Sequence, residues 1–379
     1  MPKLLYLNKI NMQFEVTKPI LLKALSSVNG AVEKKNTIPV LQNVKLDAQN
    51  GKVILSATDM DILVNSSFDT KMESNGQTTV PAQMFYDIIR KIPDANAIKI
   101  SQDNPNILQI SSGKSKYNLP CIDASEFPNL AEGEIGEEIE IDAQKLAKMI
   151  DKSRFAISSD ETRYYLNGLY LQSIKIDSSF QLRCVATDGH RLAMSHLSSD
   201  TLNTAFGVIL PKKSVNEIRR IIDGATSLKI AVSRAKIKVI TEQTTILSKL
   251  IDGEFPDYEK VLPKGNDQIA TINKKSLFDC VDRVSTVASD KHRSIKMTVE
   301  NNKITLQINA GDGSYAHEEL DADYSGNKVE IGFNSRYLLD VIGQIDKEEL
   351  LMKFKDGNSP ALVEAKDFNA VFVIMPVRI

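Results

Sequence analysis

The sequence predicts an α+β fold in which one unit, with two helices and several antiparallel strands, occurs three times. A strand, a polar cap and an amphipathic helix follow one another in FEVTKPILLKAL, IEIDAQKLAKMI and ATINKKSLFDCV, where Val16, Ile141 and Ile272 lie 125 and 131 residues apart. A second strand and helix recur as VPAQMFYDIIRKI, LPKKSVNEIRRII and FNSRYLLDVIGQI. The similar spacing indicates three units of similar length.

Each repeated phrase predicts a helix because its apolar residues recur at helical spacing. Phe85, Ile88, Ile89 and Ile92 fall at i, i+3, i+4 and i+7, and the other phrases repeat the pattern. Proline or asparagine stands where the second helix of each unit begins. The predicted helical segments are 17–35, 82–92, 142–154, 211–223, 273–285 and 334–346.

Antiparallel hairpins are predicted between the helices. VKLDAQNGKVILSA places Asn50-Gly51 between two runs of alternating polarity, which is a strong signal for a two-residue hairpin turn. SLKIAVSRAKIKVI and MTVENNKITLQI alternate in the same way around looser turns. These hairpins supply the sheets on which the helices pack.

Charge is sorted between the predicted elements. The chain is nearly neutral, with 47 Lys and Arg against 49 Asp and Glu, yet the six helical segments together carry about +8. The total excludes a uniformly basic nucleic-acid binder. If the helices share one surface, that surface attracts phosphate. The alternative is that the helices merely present solvated lysines.

Cysteine usage and hydropathy indicate the compartment. Cys121, Cys184 and Cys280 are widely spaced and odd in number, which is typical of reduced thiols and predicts no disulfide framework and no zinc site. No run reaches the roughly 18 apolar residues of a membrane span, and Asn8 and Lys9 interrupt the apolar N-terminus. We therefore expect a cytoplasmic protein without a membrane partner.

Signals for catalysis are weak. The sequence has no GxSxG, Walker or HExxH motif. One function that the sequence leaves open as an alternative is a metal-dependent nucleic-acid-processing enzyme. Its candidate residues are Asp59, Asp61 and Asp188. However, Ala57-Thr58-Asp59 recurs as Ala186-Thr187-Asp188 after a second strand, so a shared turn explains both. We expect no metal, no cofactor and no catalytic residues. A passive oligomeric scaffold that does not bind DNA is a third possibility.

Several phrases resemble one family, the bacterial DNA polymerase III beta subunits, which are the sliding clamps of replication. The resemblance is spread over essentially residues 12–379 in the family's order. The matching phrases are TIPVLQNVKL (37–46), RYYLNGLYL (163–171), VATDGHRLA (185–193), SKLIDGEFPDYEKVLP (248–263), YSGNKVEIGFNSRYLLDV (324–341) and VIMPVRI (373–379).

The resemblance implies three DNA-clamp domains and a ring-shaped, head-to-tail homodimer. Such a ring encircles double-stranded DNA without reading sequence and tethers the DNA polymerase III catalytic subunit, which confers processivity. The clamp loader, other polymerases and repair proteins dock through short linear motifs that carry a glutamine and a Leu/Phe-type apolar end. The expected boundaries are 12–131, 138–262 and 263–379, with residues 1–11 as an extension or a mis-assigned start.

The resemblance also assigns three groups of residues. The candidates for DNA contact are Lys35, Arg163, Tyr164 and Tyr165. The partner-peptide pocket comprises Leu166, Thr187, Gly189, His190, Arg191, Leu192, Pro256, Lys260, Val261, Val373, Met375, Pro376, Val377 and Arg378. The dimer interface comprises Lys114, Lys116, Tyr117, Leu119, Thr286, Val287, Glu318 and Glu319, with the two lysines expected to pair with the two glutamates.

The sequence departs from the family at a few of these places. Gln83 and Met84 stand where many members have Arg-Lys, which weakens the expectation of a DNA or interface contact there. Glu259-Lys260 replaces a commonly basic pair, so the charge of one pocket rim differs. Lys35 stands where many members have arginine.

Overall fold

In the described part of the computed structural model there are six α-helices, one in each predicted segment. The structure describes residues 12–33, 37–94, 97–199, 201–288, 293–310, 313–364 and 369–379. The extension 1–11 and Lys35 lie outside these ranges. The helices are α1 (Lys18–Val28), α2 (Ala82–Lys91), α3 (Ala143–Ser153), α4 (Lys212–Ile222), α5 (Lys274–Ser285) and α6 (Ser335–Gly343).

The first helix is shorter than its predicted segment, since α1 ends at Val28 and not near residue 35. Asn29-Gly30 follows directly, and glycine is a poor helix former. A side chain at Gly30 would meet the carboxylate of Glu217 on α4. Gly30 therefore both ends the helix and lets the backbone approach α4 closely.

The first of two compact units comprises Met1–Gln144 and Asn216–Leu250. It holds two sheets of antiparallel strands. In spatial order, the smaller sheet is β5 (Lys71–Ser74), β1 (Met12–Val16), β7 (Ile98–Asn104), β8 (Ile107–Ser112) and β9 (Ser115–Pro120). The larger sheet is β10 (Ile139–Asp142), β15 (Ser227–Val232), β16 (Lys236–Ile240), β17 (Thr244–Lys249), β4 (Ile62–Asp69), β3 (Lys52–Thr58), β2 (Asn43–Gln49) and β6 (Gly76–Pro81).

The second unit comprises Lys145–Val215 and Ile251–Ile379. Its two sheets are also antiparallel. The larger sheet runs β14 (Phe206–Pro211), β11 (Gly168–Ile176), β12 (Ser179–Thr187), β13 (Arg191–Ser199), β25 (Ala370–Ile374), β24 (Ala361–Glu364), β23 (Glu349–Phe354) and β18 (Gln268–Asn273). The smaller runs β21 (Tyr315–Asp321), β20 (Lys303–Asn309), β19 (Ser294–Glu300) and β22 (Val329–Asn334).

Each large sheet joins strands from two of the sequence repeats. In the first unit β4 pairs with β17, with Ile62 opposite Ser248. In the second unit β13 pairs with the C-terminal strand β25, with Leu192 opposite Val373. The repeats are therefore not separate in the sheets, and the second pairing brings the C-terminus beside the middle repeat.

The predicted hairpins and helix faces are present. Asn50 and Gly51 adopt left-handed φ angles of 52° and 80° in the turn between β2 and β3, as an Asn-Gly hairpin requires. Asn301 and Asn302, at 50° and 59°, turn β19 into β20. The helical apolar stripes are buried: Leu277, Cys280, Val281 and Val284 in α5, and Leu338, Val341, Ile342 and Ile345 in and after α6.

The helices keep the basic surplus that the sequence predicts. Counted over their observed bounds, the six described helices hold 15 Lys and Arg against 6 Asp and Glu. Among the described residues, no helix is long and apolar enough to cross a membrane. The three cysteines are free thiols, and burial raises the pKa of Cys184 well above its ordinary value.

Candidate functional site

A buried apolar cluster brings together residues from distant parts of the second unit. Leu166, Leu192 and Val373, which the sequence analysis assigns to a peptide pocket, pack in this cluster. Leu166 ends the short helical segment Glu161–Leu166, Leu192 begins β13, and Val373 lies opposite it on β25. The cluster comprises Leu166, Val185, Leu192, Met194, Ile209, Phe255, Tyr258 and Val373.

The segment from Phe255 to Val261 forms one rim of this cluster. Phe255 stacks on Tyr170, with ring centroids 4.8 Å apart and nearly parallel planes, and Tyr258 is buried. Between and after them, Pro256, Lys260 and Val261 remain exposed. The two aromatic rings therefore anchor the segment and leave the three predicted pocket residues at the surface.

A hydrogen-bond network holds the segment Phe255–Val261 in place. The Tyr258 hydroxyl donates to Gln172 Oε1 at 2.7 Å and accepts from Arg183 Nη1 at 2.8 Å. The same Arg183 nitrogen donates to Glu259 Oε1 at 2.7 Å. Burial raises the pKa of Tyr258, so its hydroxyl keeps the proton that it donates. Glu259, a departure from the family pattern, is thus an ion-pair partner of Arg183.

The turn Thr187–Arg191 is locked by its own side chains. Asp188 Oδ1 accepts hydrogen bonds from the backbone N–H groups of His190 (2.9 Å) and Arg191 (3.0 Å), and Thr187 Oγ1 accepts one from Gly189. Gly189 has a φ of 85°, which favours glycine. The backbone N–H of Met375 donates to the carbonyl of His190 at 2.9 Å, so the C-terminal segment is tied to this turn.

The same turn occurs in the first unit at Thr58–Ile62. Asp59 Oδ1 accepts from the backbone N–H groups of Asp61 and Ile62, both at 2.9 Å, and Thr58 Oγ1 accepts from Met60. The repeated Ala-Thr-Asp sequence is therefore a turn motif. Within the described part of the chain no three His, Cys, Asp or Glu side chains gather as metal ligands, so the metal-enzyme alternative gains no support from Asp59, Asp61 or Asp188.

Arg191 is engaged within the protein. Its side chain is 9% exposed; Nε lies 3.1 Å from Asp188 Oδ2, and Nη1 lies 2.5 Å from Asp340 Oδ2. Its Nη2 donates to the carbonyl of Phe155, and the guanidinium lies 4.5 Å from the ring centroid of Tyr337. The buried guanidinium charge is therefore paired, and its contacts hold the turn Thr187–Arg191 in place. Its predicted contact with a ligand remains a prediction, as does that of the exposed Arg378.

Three of the four predicted DNA contacts, Arg163, Tyr164 and Tyr165, lie on the helical segment Glu161–Leu166, which ends at the cluster residue Leu166. Arg163 Nε lies 2.9 Å from Asp160 Oδ2, and a Cβ added to Gly189 would lie 2.6 Å from Arg163 Nη1. Tyr165 packs against the apolar cluster. Tyr164 is 55% exposed, and its ring lies edge-on to the ring of Tyr165 with 5.8 Å between the ring centroids. Arg163 thus lies against the turn of the predicted pocket.

The predicted interface residues occupy two sheet edges. Strand β9, with Lys116, Tyr117 and Leu119, is an edge of its five-stranded sheet, and β21, with Glu318 and Glu319, is an edge of its four-stranded sheet. Lys114 precedes β9 in the turn from β8, and Thr286 and Val287 follow the end of α5. Unpaired edges are available for strand addition.

Some of the expected interface residues also make contacts within their own chain, and the interface remains a prediction. The side chain of Leu119 is 1% exposed and packs in the core of the first unit, whereas the half-buried Tyr117 reaches the surface of β9. Glu318 is held by Arg283, at 2.8 Å to Nε and 2.5 Å to Nη2, and Glu319 by Lys303 at 2.9 Å. The carboxylates expected to pair with Lys114 and Lys116 already have partners in their own chain.

An apolar cavity of about 900 Å³ lies beside β9 in the first unit. Tyr117 lines it together with Ile88, Ile122 and the two departures from the family pattern, Gln83 and Met84. Met84 is exposed. These two residues therefore lie where the predicted interface strand meets α2.

Sequence reasoning missed the anchors of the pocket rim. Phe255, Tyr258 and Arg183 were not among the predicted site residues, although Phe255 and Tyr258 flank Pro256 in the phrase GEFPDYEK. Two aromatics around an exposed proline are the signal that could have identified them. Arg183 gave no local signal for this role, since its partners on the rim, Tyr258 and Glu259, lie 75 and 76 residues away.

Comparisons with known proteins agree on one family over nearly the full length of the chain. The models of the N-terminal, central and C-terminal domains of the DNA polymerase III beta subunit match residues 12–131, 140–257 and 259–378. The beta sliding clamp of Caulobacter vibrioides is 40% identical over 373 residues, which cover 97% of this chain and 100% of that protein. That of Escherichia coli is 32% identical over 371 residues, with 97% of this chain and 100% of that protein covered.

Solved structures are similar over the same length. The DNA polymerase sliding clamp from Caulobacter crescentus superposes with a TM-score of 0.91 at 40% identity, covering 97% of this chain and 100% of that one. The sliding clamp of Bartonella birtlesii, solved bound to griselimycin, gives a TM-score of 0.93 at 39% identity, with the same coverage.

Proposed function

The chain belongs to the DNA polymerase III beta subunit family, the sliding clamps, and we propose that it encircles duplex DNA as a ring-shaped homodimer and tethers DNA polymerase III to it. It is a processivity factor and not an enzyme. The observation that carries this is the consecutive match of all three beta-subunit domain models over residues 12–378. We keep the domain boundaries 12–131, 138–262 and 263–379 as part of the proposal.

The ring holds DNA by topology, and its lining only weakly attracts the duplex. The helices, which would face the duplex, carry the surplus of 15 basic over 6 acidic side chains, mostly on long, exposed lysines and arginines. Such charges attract phosphates without reading bases and are weakened by salt. Lys35, Arg163, Tyr164 and Tyr165 are the proposed closer contacts. Because a clamp on bacterial chromosomal DNA acts in the cytoplasm, we also propose that this protein is cytoplasmic.

Partners dock in the pocket above the apolar cluster. Its floor is Leu166, Leu192 and Val373, and its rims are the turn Thr187–Arg191 and the segment Pro256–Val261. An apolar Leu/Phe-type end fits this floor, and Met375 adapts to different side chains. Because each subunit has one such pocket, polymerase, clamp loader and repair proteins compete for it.

The homodimer closes where β9 of one copy meets β21 of the other. Both are edge strands, so pairing would continue two sheets across the contact. Tyr117 and Val287 supply apolar contact, while Lys114, Lys116 and Thr286 lie at its margin. Head-to-tail contacts of this kind close into a ring when the angle between the copies allows it.

Retention on DNA tests the topological hold. After loading onto nicked circular DNA, the protein should stay bound in high salt, because a closed ring has no end to leave by and needs no phosphate attraction. Linearising the DNA should release it. Equal loss from circular and linear DNA would contradict a clamp.

The pocket is tested separately. Deletion of residues 375–379 should abolish binding of peptides with a glutamine and a Leu/Phe end. The dimer, measured by light scattering, and retention on circular DNA should be unchanged. Full peptide affinity in this variant would place the pocket elsewhere.

A further inference from the structure

One helix junction inside the first unit depends on a close fit between a glutamate and a glycine. The C-terminal part of α4 lies on the end of α1, where Arg220 donates to the carbonyl of Ser27 at 2.8 Å and also pairs with Glu217. Glu217 is 9% exposed, and a side chain at Gly30 would meet its carboxylate. The glycine therefore makes room for the glutamate.

The sequence repeat places other residues at the same positions of α2 and α5. Counted from the preceding strand, Asp87 and Arg90 of α2 stand where α4 has its glutamate and arginine, and they pair in the same way, at 3.0 Å. Thr286, directly after α5, stands where Gly30 follows α1. The buried stripes of the two helices confirm this alignment, with Leu21, Ala24, Leu25 and Val28 in α1 matching Leu277, Cys280, Val281 and Val284 in α5.

The exchanged residues differ in size in opposite directions. Asp87 is one methylene shorter than Glu217, whereas Thr286 has a side chain where Gly30 has none. The Asp87 side chain is 36% exposed, and Thr286 is exposed as well. Asp87 accepts hydrogen bonds of 3.0 Å from two side chains of its own helix, and a carboxylate has about four acceptor sites. A threonine hydroxyl could therefore fill the space beside the shorter carboxylate and donate to it.

The strands that join the repeats give the register in which two copies would meet. In the first unit Val64 of β4 lies opposite Ile246 of β17, and β13 and β25 repeat this register in the second unit. Counting through the hairpins places Ala316 of β21 and Tyr117 of β9 at these two positions. Both residues are half-buried, so they point to the same face of their sheets, and the small alanine leaves room for the tyrosine ring.

We propose that α2 of one copy packs on the end of α5 of a second copy as α4 packs on α1, with Asp87 accepting a hydrogen bond from the Thr286 hydroxyl of the second copy. The inference rests on the proposed homodimer and names the side chains that fit its helices together. Arg90 then faces the last carbonyls of α5, as Arg220 faces those of α1. The hydroxyl-to-carboxylate bond is charge-assisted, and it holds only while the acid is short enough to admit the threonine.

The dissociation constant of the full-length dimer, measured by sedimentation and by subunit exchange, tests this fit. Asp87→Glu should weaken each contact about tenfold, because the added methylene meets Thr286. A closed head-to-tail dimer holds the contact twice, so its dissociation constant should rise about a hundredfold. Thr286→Gly should raise it about tenfold, because two hydrogen bonds are lost.

The double variant decides whether the two side chains touch. In the Thr286→Gly protein, Asp87→Glu should change the dissociation constant by less than about threefold, because the combination rebuilds the fit of Glu217 on Gly30. Asp223→Glu is the matched control, since it lengthens an aspartate just after α4 whose side chain is 81% exposed, and it should leave the dimer unchanged. A hundredfold loss from Asp87→Glu in both backgrounds, or no loss in either, would overturn the proposal.

A second measurement does not depend on the size of these side chains. Lys116→Cys with His317→Cys puts two exposed residues opposite each other in the proposed register, and mild oxidation should link the copies covalently. Lys116→Cys with Asp321→Cys, four residues further along β21, should stay unlinked, because cysteines so far apart cannot be bridged. The opposite result would show another register and sink the helix contact that follows from it.

The outcomes also separate this inference from the proposed function. If the parent protein is a dimer that stays on circular DNA but the double variant shows no rescue, the contact between Asp87 and Thr286 is wrong and the clamp stands. If the parent protein sediments as a monomer, the homodimer itself fails and the inference falls with it.

Discussion

The turn at the proposed partner pocket occurs twice, and the two copies differ at the position with a left-handed backbone angle, so they allow its strain to be measured. Gly189 has a φ of 85° and Met60 a φ of 82°, with the same aspartate and threonine hydrogen bonds around each. We predict that Gly189→Ala destabilises its turn and Met60→Gly stabilises the other. The two turns thus act as each other's control.

The magnitude follows from the backbone and from the space available. A non-glycine residue in the left-handed region costs about 1–2 kcal/mol, and glycine costs roughly 0.5–1 kcal/mol in the flexibility of the unfolded chain. We therefore expect Met60→Gly to raise the free energy of unfolding by about 0.5–1 kcal/mol. The Met60 side chain is 42% exposed, so its removal loses little packing. Gly189→Ala should lower the free energy of unfolding by about 1 kcal/mol. It should also displace the side chain of Arg163, whose Nη1 would lie 2.6 Å from the new Cβ.

Hydrogen exchange measured by mass spectrometry checks both turns locally. Exchange should speed up about fivefold over residues 185–193 in Gly189→Ala and slow down over residues 57–64 in Met60→Gly. Peptide affinity should fall only in Gly189→Ala, because only that turn contacts Arg163 and Met375. Faster exchange in Met60→Gly together with slower exchange in Gly189→Ala would refute the strain argument.

Three further predictions concern the rim, the interface and pH. Tyr258→Phe removes the hydroxyl that joins the pocket rim to its network, and titration should show peptide affinity lower by about three- to fivefold with unchanged dimer mass. Tyr117→Asp should give folded monomers in light scattering, whereas Leu119→Asp should lower the melting temperature because that side chain is in the core; a folded Leu119→Asp monomer would restore Leu119 to the interface. The hydrogen bonds from Arg283 lower the pKa of Glu318 below 4.5. The pair therefore stabilises the fold above that pH and loses its effect as the pH falls through the lowered pKa. The urea midpoint of Arg283→Gln should be lower than that of the parent at pH 7, and the two midpoints should converge in acid.

The helices and hairpins could be predicted because their signals are local. The apolar stripe of Leu277, Cys280, Val281 and Val284 lies within a few turns of chain, and its burial follows from its spacing. The hairpin at Asn50-Gly51 depends on two residues that tolerate left-handed angles. The extent of α1 was overestimated, because the packing of Gly30 under Glu217 involves residues nearly 190 positions apart.

The candidate site could be predicted only in part. Leu166, Leu192 and Val373 were grouped through resemblance to the clamps, and the structure packs them together. Composition and spacing alone could not do this, since β13 meets β25 only through a sheet that joins the second and third repeats. The internal use of Arg191 and the Arg183–Tyr258 network were equally invisible, because ion pairs and buried hydrogen bonds depend on which strands become neighbours.

The sequence by itself determined the threefold repeat, the six helices, the hairpin turns and, through its motifs, the family. The helices and turns depend on backbone preferences and on polarity patterns over fewer than 20 residues, and the repeat and the family depend on short phrases that recur or follow one another along the chain. Only the tertiary structure decided that Leu119 is core and Tyr117 is surface, and that Glu318 and Glu319 are already paired. Burial and pairing are properties of contacts between distant segments, and the chain acquires them only when its sheets join across the repeats.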